Sequence, residues 1–309
     1  MLSAGLAARR GTAASRRTGT AGVAAWPVAY GSIARTWLFD PDVDATATLD
    51  GDGRCGALAE AGGDATRSWT QATTAAKPAT ARVRGRRVLD FESALSGAAT
   101  SLLVGSAGLL ADWKAPRGPY TLAFVWIAPA AYAGATATDY CRLLGANNVS
   151  GAAGGGVSTA RHLLALEADA GGYAQAAIER EAGGANGTES ANLGAGGLAA
   201  GGVYFIAARA NADGTADLFV NGTKRARANG RTLAATAAAN SSGPANSSTV
   251  RANASDAGFA ALSRCFVGWG DGGASARVCG RAGAMLRFGG ALADADVSNL
   301  SAIAAARYP

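Results

Sequence analysis

Two acids that stand two positions apart, Glu167 and Asp169, raise the first chemical question, because they lie in the strand-like run HLLALEAD. Alternate residues of a strand face the same way. Retaining hydrolysis of a glycosidic bond uses two carboxyl groups about 5–5.5 Å apart, one as acid and base and one as nucleophile. Other reaction chemistry finds less support. His162 is the single histidine, and the nearby Ser158 and Asp169 form no triad signature with it. Gly154-Gly155-Gly156 is followed by no Gly-Lys-Ser/Thr and no helix start, so it is not a phosphate loop. The four cysteines, Cys55, Cys141, Cys265 and Cys279, contain no C-x-x-C pair and make no zinc set with one histidine. Cys265 and Cys279 flank a segment that a bridge would close as a loop of about 15 residues, and two buried thiols are the alternative. Asp50-Gly51-Asp52-Gly53 resembles half a calcium loop, but the twelfth-position glutamate and flanking helices are missing, and it reads as a turn. For binding, a sugar is commonly held by an aromatic face with short polar side chains beside it. Tyr173, which follows Gly171-Gly172, and Trp269 near Asp271 are the ligand-binding candidates at strand ends. No catalytic residue, metal ligand or cofactor is expected.

The elements that would position these groups are short and β-rich. With 44 glycines among 309 residues, glycine is about twice as frequent as usual, which favours many turns over long helices. Strands are expected at 87–91, 120–128, 162–167, 173–178, 203–208, 216–220, 265–269 and 284–288. The run 120–128 (YTLAFVWIA) is nearly all apolar, as for a strand covered on both faces, and puts Trp126 in the core. Asn221-Gly222 between strand-like runs is a strong hairpin signal and makes 203–227 a three-stranded meander, with Leu218 and Val220 facing the core and Phe219 the other side. Residues 294–307 read as a closing helix, because Val297, Leu300 and Ala304 form one apolar stripe. Residues 229–258 are a polar, alanine-rich insertion.

Charge is unevenly spread. Residues 1–39 hold Arg9, Arg10, Arg16, Arg17 and Arg35 and no acid, which leaves 23 basic against 22 acidic residues in the remainder of a chain whose net charge is +6. The excess therefore belongs largely to the N-terminal end. Residues 1–36 read as a flexible basic arm or a targeting segment, an acid-free and arginine-rich composition being that of a transit peptide. Arg82, Arg84, Arg86 and Arg87 alternate as on a solvated strand face, and without interleaved aromatics they give no reason to expect nucleic acid. No run approaches the roughly 18 apolar residues of a membrane-spanning helix. Seven of the 11 asparagines open an Asn-x-Ser/Thr sequon (Asn148, Asn186, Asn221, Asn240, Asn246, Asn253, Asn299), three of them inside 229–258.

Taken in order, several of these segments resemble laminin G-like domains of the concanavalin A-like lectin and glucanase superfamily. Trp69-Thr70-Gln71 with Lys77-Pro78 and Val88-Leu89-Asp90-Phe91 is similar to the opening of such domains, and Pro119–Val125 to an early central strand. Asp213-Gly214-Thr215 through Leu218-Phe219-Val220-Asn221-Gly222 is similar to their most distinctive hairpin. Cys265–Gly268, Ala284–Phe288 and Leu292–Val297 are similar to the closing strands and helix. The resemblance implies an all-β, antiparallel two-sheet jelly-roll sandwich with a short C-terminal helix over residues 37–309. Hydrolases of this fold carry E-x-D-x-x-E on one strand, and here the third acid is replaced by Gly172. The expected function is a non-enzymatic structural or recognition module on a virion or extracellular surface, with surface glycans or other surface proteins as partners. A glycoside hydrolase using Glu167 and Asp169, and an imported organellar protein with a cleaved presequence, stand as alternatives.

Overall fold

The computed structural model describes residues 25–43, 45–91, 102–114, 119–128, 140–147, 160–169, 172–182, 185–192, 198–199, 201–211, 216–224, 263–268 and 280–309. Among them, strands form two antiparallel sheets. The first runs β1 (Ala29–Tyr30), β2 (Ile33–Phe39), β18 (Arg281–Phe288), β9 (Tyr120–Ile127), β14 (Val203–Ala210), β15 (Ala216–Val220) and β16 (Thr223–Lys224). A hairpin of β6 (Ala79–Val83) and β7 (Arg86–Asp90) joins it along β18, Arg281 facing Asp90. The second runs β13 (Ala185–Asn192), β12 (Gly172–Ala182), β11 (Ala160–Asp169), β10 (Tyr140–Asn147), β17 (Arg264–Gly268), β8 (Leu102–Gly105), β5 (Ser68–Thr70), β4 (Cys55–Ala59) and β3 (Ala47–Leu49). The protein is an all-β sandwich closed by one C-terminal helix. A second helix, α1 (Ala107–Lys114), buries Leu109 and Trp113 and was not anticipated.

Alternation divides the first sheet between two cores. Trp37, Phe39, Leu122, Phe124, Trp126, Ile206, Leu218 and Val220 meet Leu58, Trp69, Leu144 and Val267 of the second sheet. Their neighbours Leu38, Ala123, Val125, Phe205, Phe219 and Leu286 face outward and are covered by Val297, Leu300, Ala304 and Tyr308. That cover is helix α2 (Asp294–Arg307) and the residue after it. All eight residues of β9 are consequently buried, which is why its sequence lacks polar alternation. Leu218 and Val220 face the sandwich interior and Phe219 the helix, as the period of two requires.

The meander follows the turn chemistry. Val220 pairs with Thr223 across Asn221-Gly222, whose φ angles of 50° and 75° are those of a type I′ turn. Asn221 Oδ1 accepts the Phe205 N–H at 2.9 Å, which fixes the turn to β14. Lys224 is exposed as expected, whereas Arg225 and the 212–215 turn lie outside the described residues.

Two expectations need correction. The arm does not extend to residue 36, because Ala29–Tyr30 and Ile33–Phe39 are strands and Trp26 is 6% exposed. Tryptophan burial and β-pairing outweigh the Ala/Gly/Thr-rich composition from which that boundary was drawn; residues 1–24 lie outside the described set. Nor are all the arginines of 82–87 a solvated face. Arg84 and Arg86 donate to the carbonyls of Tyr308 and Arg307 at 2.7 and 3.2 Å, and Arg86 also binds Asp42 at 3.0 Å. They close the C-terminal end of α2, where the helix leaves carbonyls unpaired. No described helix is long and apolar enough to cross a membrane.

Candidate functional site

The register of the second sheet carries Glu167, Asp169 and Tyr173 to one end of the sandwich. β11 ends at Asp169 and β12 begins at Gly172, opposite each other, with Ala168 facing Tyr173 and Glu167 facing Gln175. The register slips between the last two pairs, which marks a bulge at this end. β10 begins here too, Tyr140 facing Glu167. β17 runs beside β10 in the opposite sense and ends at this rim with Gly268. Trp269 and Asp271 lie outside the described residues. β17 and β12 are three strand spacings apart, roughly 14 Å.

The described loops of this rim are held by polar contacts. β8 begins opposite Gly268, β5 ends opposite β8, and β4 begins beside β5. The β3–β4 turn at 50–53 is therefore at the same end. Asp50 Oδ1 accepts the N–H groups of Asp52 and Arg54 at 3.1 and 2.9 Å, and Lys77 Nζ lies 3.1 Å from Oδ2. The Arg54 N–H, then Lys77, hold the Asp50 carboxyl below its ordinary range. Oδ1 thus closes the turn that the sequence indicated, and Oδ2 is held by Lys77. No cluster of three or more His, Cys, Asp or Glu side chains that would hold a metal occurs among the described residues.

The first sheet contributes to the same end through the bridge between Arg54 and Ala79. Ala79 pairs with Asp90, Asp90 with Arg281, Arg281 with Ile127, and Ile127 with Val203. Arg281 Nε lies 3.1 Å from Asp90 Oδ2. Beside them Tyr204 is half-buried, its ring centroid 6.0 Å from that of the fully buried Trp126 and its hydroxyl accepting the Ala199 N–H at 2.6 Å. Tyr204 was not singled out in the sequence. It follows Gly201-Gly202 almost as Tyr173 follows Gly171-Gly172, and that parallel was the available signal.

The candidate acids are placed without the third. Asp169 closes β11, and the chain has reversed by Gly172, so the E-x-D-x-x-E positions do not fall on one strand. His162 sits within β11 opposite Arg180 and Ala146. Cys265 is a free, buried thiol and is not bridged to Cys279, and Cys55 is free and buried as well. Burial pushes the two thiols up to about 12 and about 11 respectively, which makes them poor nucleophiles. Of the sequons, Asn221 lies in the turn, Asn299 is exposed on α2 and Asn186 lies in β13, whereas Asn148, Asn240, Asn246 and Asn253 and the 229–258 insertion lie outside the described residues.

No family model matches the chain, and no curated protein does. Among solved structures it is similar to the Trypanosoma rangeli sialidase in complex with sialic acid, at 13% identity and a TM-score of 0.48 over 89% of this chain and 33% of that one. It is similar to the binding domain of Paraclostridial Mosquitocidal Protein 1, at 10% identity and a TM-score of 0.48 over 86% of this chain and 51% of that one. Domain 4 of AbnA, a GH43 extracellular arabinanase from Geobacillus stearothermophilus, in complex with arabinotriose, gives 12% identity and a TM-score of 0.47 over 87% and 98%. The chain spans about a quarter to a third of the length of the sialidases it matches.

Proposed function

We propose that this chain is a non-enzymatic recognition module that binds carbohydrate at the rim of its second sheet. One observation carries the reading. The register brings Tyr173, at the start of β12, to the same end from which β17 leads into Trp269 and Asp271. An aromatic residue at the start of β12, three strand spacings from the end of β17, with a second aromatic and a carboxylate following that end in sequence, suits an extended, weakly charged ligand such as an oligosaccharide. The laminin G-like resemblance favours the same class. On this reading the sandwich works at a virion or extracellular surface, with the arginine-rich residues 1–24 as its tether.

The test is binding of the full chain to an array of neutral and acidic glycans, repeated with Tyr173→Ala and Trp269→Ala. Expected is binding to at least one glycan that each substitution weakens by about tenfold, equivalent to one good contact, with an unchanged thermal midpoint. Silence across the array, or binding indifferent to both substitutions, refutes the site. Reducing-sugar release from a polysaccharide panel should be absent from the native chain. Release that Glu167→Ala with Asp169→Ala abolishes would replace the module by a hydrolase.

A further inference from the structure

On the far side of the first sheet, away from the second sheet, α2 and the strands beneath it leave a cleft of about 390 Å³. That volume is within the range of small-ligand pockets, near its lower end. The floor is apolar, from Val125 and Phe205, both buried. The helix wall is low because Ser301 and Ala305 stand there, whereas Val297 and Leu300 fill the neighbouring stripe completely.

Three polar groups border this apolar floor. Ser301, 8% exposed, lines the cleft from the helix side. Asn221 uses Oδ1 for the Phe205 N–H, which leaves its Nδ2 hydrogens uncommitted. Arg84 brings a guanidinium to the rim, one nitrogen donating to the Tyr308 carbonyl at 2.7 Å. Its φ of 51° puts a long cationic side chain where glycine or asparagine is the usual occupant. Backbone held in so sparse a region is often found where a side chain has a task.

We propose that this cleft binds a small carboxylate with an apolar ring or short chain. The carboxylate meets Arg84 and the Asn221 amide, the apolar body lies on Phe205 and Val125, and the Ser301 hydroxyl supplies the inner hydrogen bond. The site is independent of the glycan rim, being built from the other sheet and α2.

The test uses the full chain and benzoate, followed by amide chemical shifts. Expected is saturable binding in the millimolar range, as befits so few atoms, with shifts centred on Phe205, Asn221 and Ser301. Ala305→Leu, at an exposed helix position, should fill the cleft and abolish binding while the chain stays folded. Arg84→Met should weaken benzoate about tenfold, one charge-assisted hydrogen bond, and the neutral analogue benzyl alcohol should bind the native chain weaker by a similar factor. Absence of saturable shifts, retention of binding in Ala305→Leu, or an equal response to acetate would each overturn the proposal.

Discussion

Arg307 Nη2, in the last turn of the C-terminal helix, lies 2.6 Å from Oδ2 of Asp40, which immediately follows β2. The same oxygen accepts the Trp26 indole N–H at 3.1 Å, and the Arg307 guanidinium lies over the Trp26 ring, 5.4 Å from its centroid. Oδ1 accepts the Asp42 N–H at 3.0 Å. One carboxylate with no exposure thus joins an early segment, a sheet strand and the last helix. Asp40→Ala would leave a guanidinium only 12% exposed and an indole N–H without their acceptor. The expected loss is about 3–5 kcal/mol, typical of a broken buried pair. Equilibrium denaturation measures it, and a change within error would mean that water replaces the carboxylate there.

Truncation tests where the sandwich begins. Removing residues 1–36 takes away Trp26, β1 and the first four residues of β2, and with them the Ala29–Ala34 and Tyr30–Ile33 pairings. The expected cost exceeds the roughly 3–5 kcal/mol of a tryptophan truncation alone. Removal of residues 1–24 is expected to leave the midpoint unchanged, since their composition offers little to bury. Equal midpoints for the two truncations would show that Trp26 and β1 add nothing.

Much of the first sheet was legible because local chemistry agreed with its final environment. Asp294–Arg307 is helical where its apolar stripe indicated, and Ala216–Val220 is the strand expected before an Asn-Gly turn. The early strands were not legible. Ser68–Thr70 and Ala47–Leu49 have three residues each, too few to show a period, and take their register from neighbours distant in sequence. Trp26 shows the same limit, because its burial depends on Asp40 and Arg307, the latter 281 positions away in sequence. At the candidate rim, Tyr173 and the acids could be placed on strands from sequence. That β17 returns beside β10, and so gathers them with the exit toward Trp269, is a long-range pairing no local pattern specifies.

Gly222 is required on two counts. Its φ is 75°, and a Cβ built on it would stand 3.0 Å from both Ser298 Cα and Ser301 Cβ of the helix. The Ser298 hydroxyl also donates to its carbonyl at 2.8 Å. Gly222→Val therefore strains the turn by about 1–2 kcal/mol and in addition pushes α2 off the sheet. Gly222→Ala should show most of the effect, because the conflict begins at Cβ. Urea denaturation of both variants decides this, and a tolerant Gly222→Ala would show that the helix can retreat without loss.

Asp217 gives the chain a defined acid response. Arg209 Nη2 and Nε lie 2.6 and 3.1 Å from its Oδ2, Asn211 Nδ2 lies 2.9 Å from the same oxygen, and Lys224 Nζ lies 2.8 Å from Oδ1. Arg209 also reaches Asp294 at 2.7 Å and the Leu292 carbonyl at 2.6 Å, and it lies over the Phe219 ring. The carboxylate thereby ties the meander to the start of α2. Burial pushes its pKa up, but the hydrogen bonds from Lys224, Asn211 and Arg209 together outweigh burial and hold it down at about 2. A carboxyl that binds its proton more weakly when folded stabilises fully above its unfolded pKa of about 3.9 and loses that contribution as pH falls through its folded value. The native chain should therefore lose stability between about pH 4 and pH 2 partly through this group. Asp217→Asn should be less stable at pH 7, with a shallower fall across that acid window. Denaturation midpoints for both chains, measured from neutral pH downward, supply the comparison. Parallel curves would assign the acid response to other carboxylates.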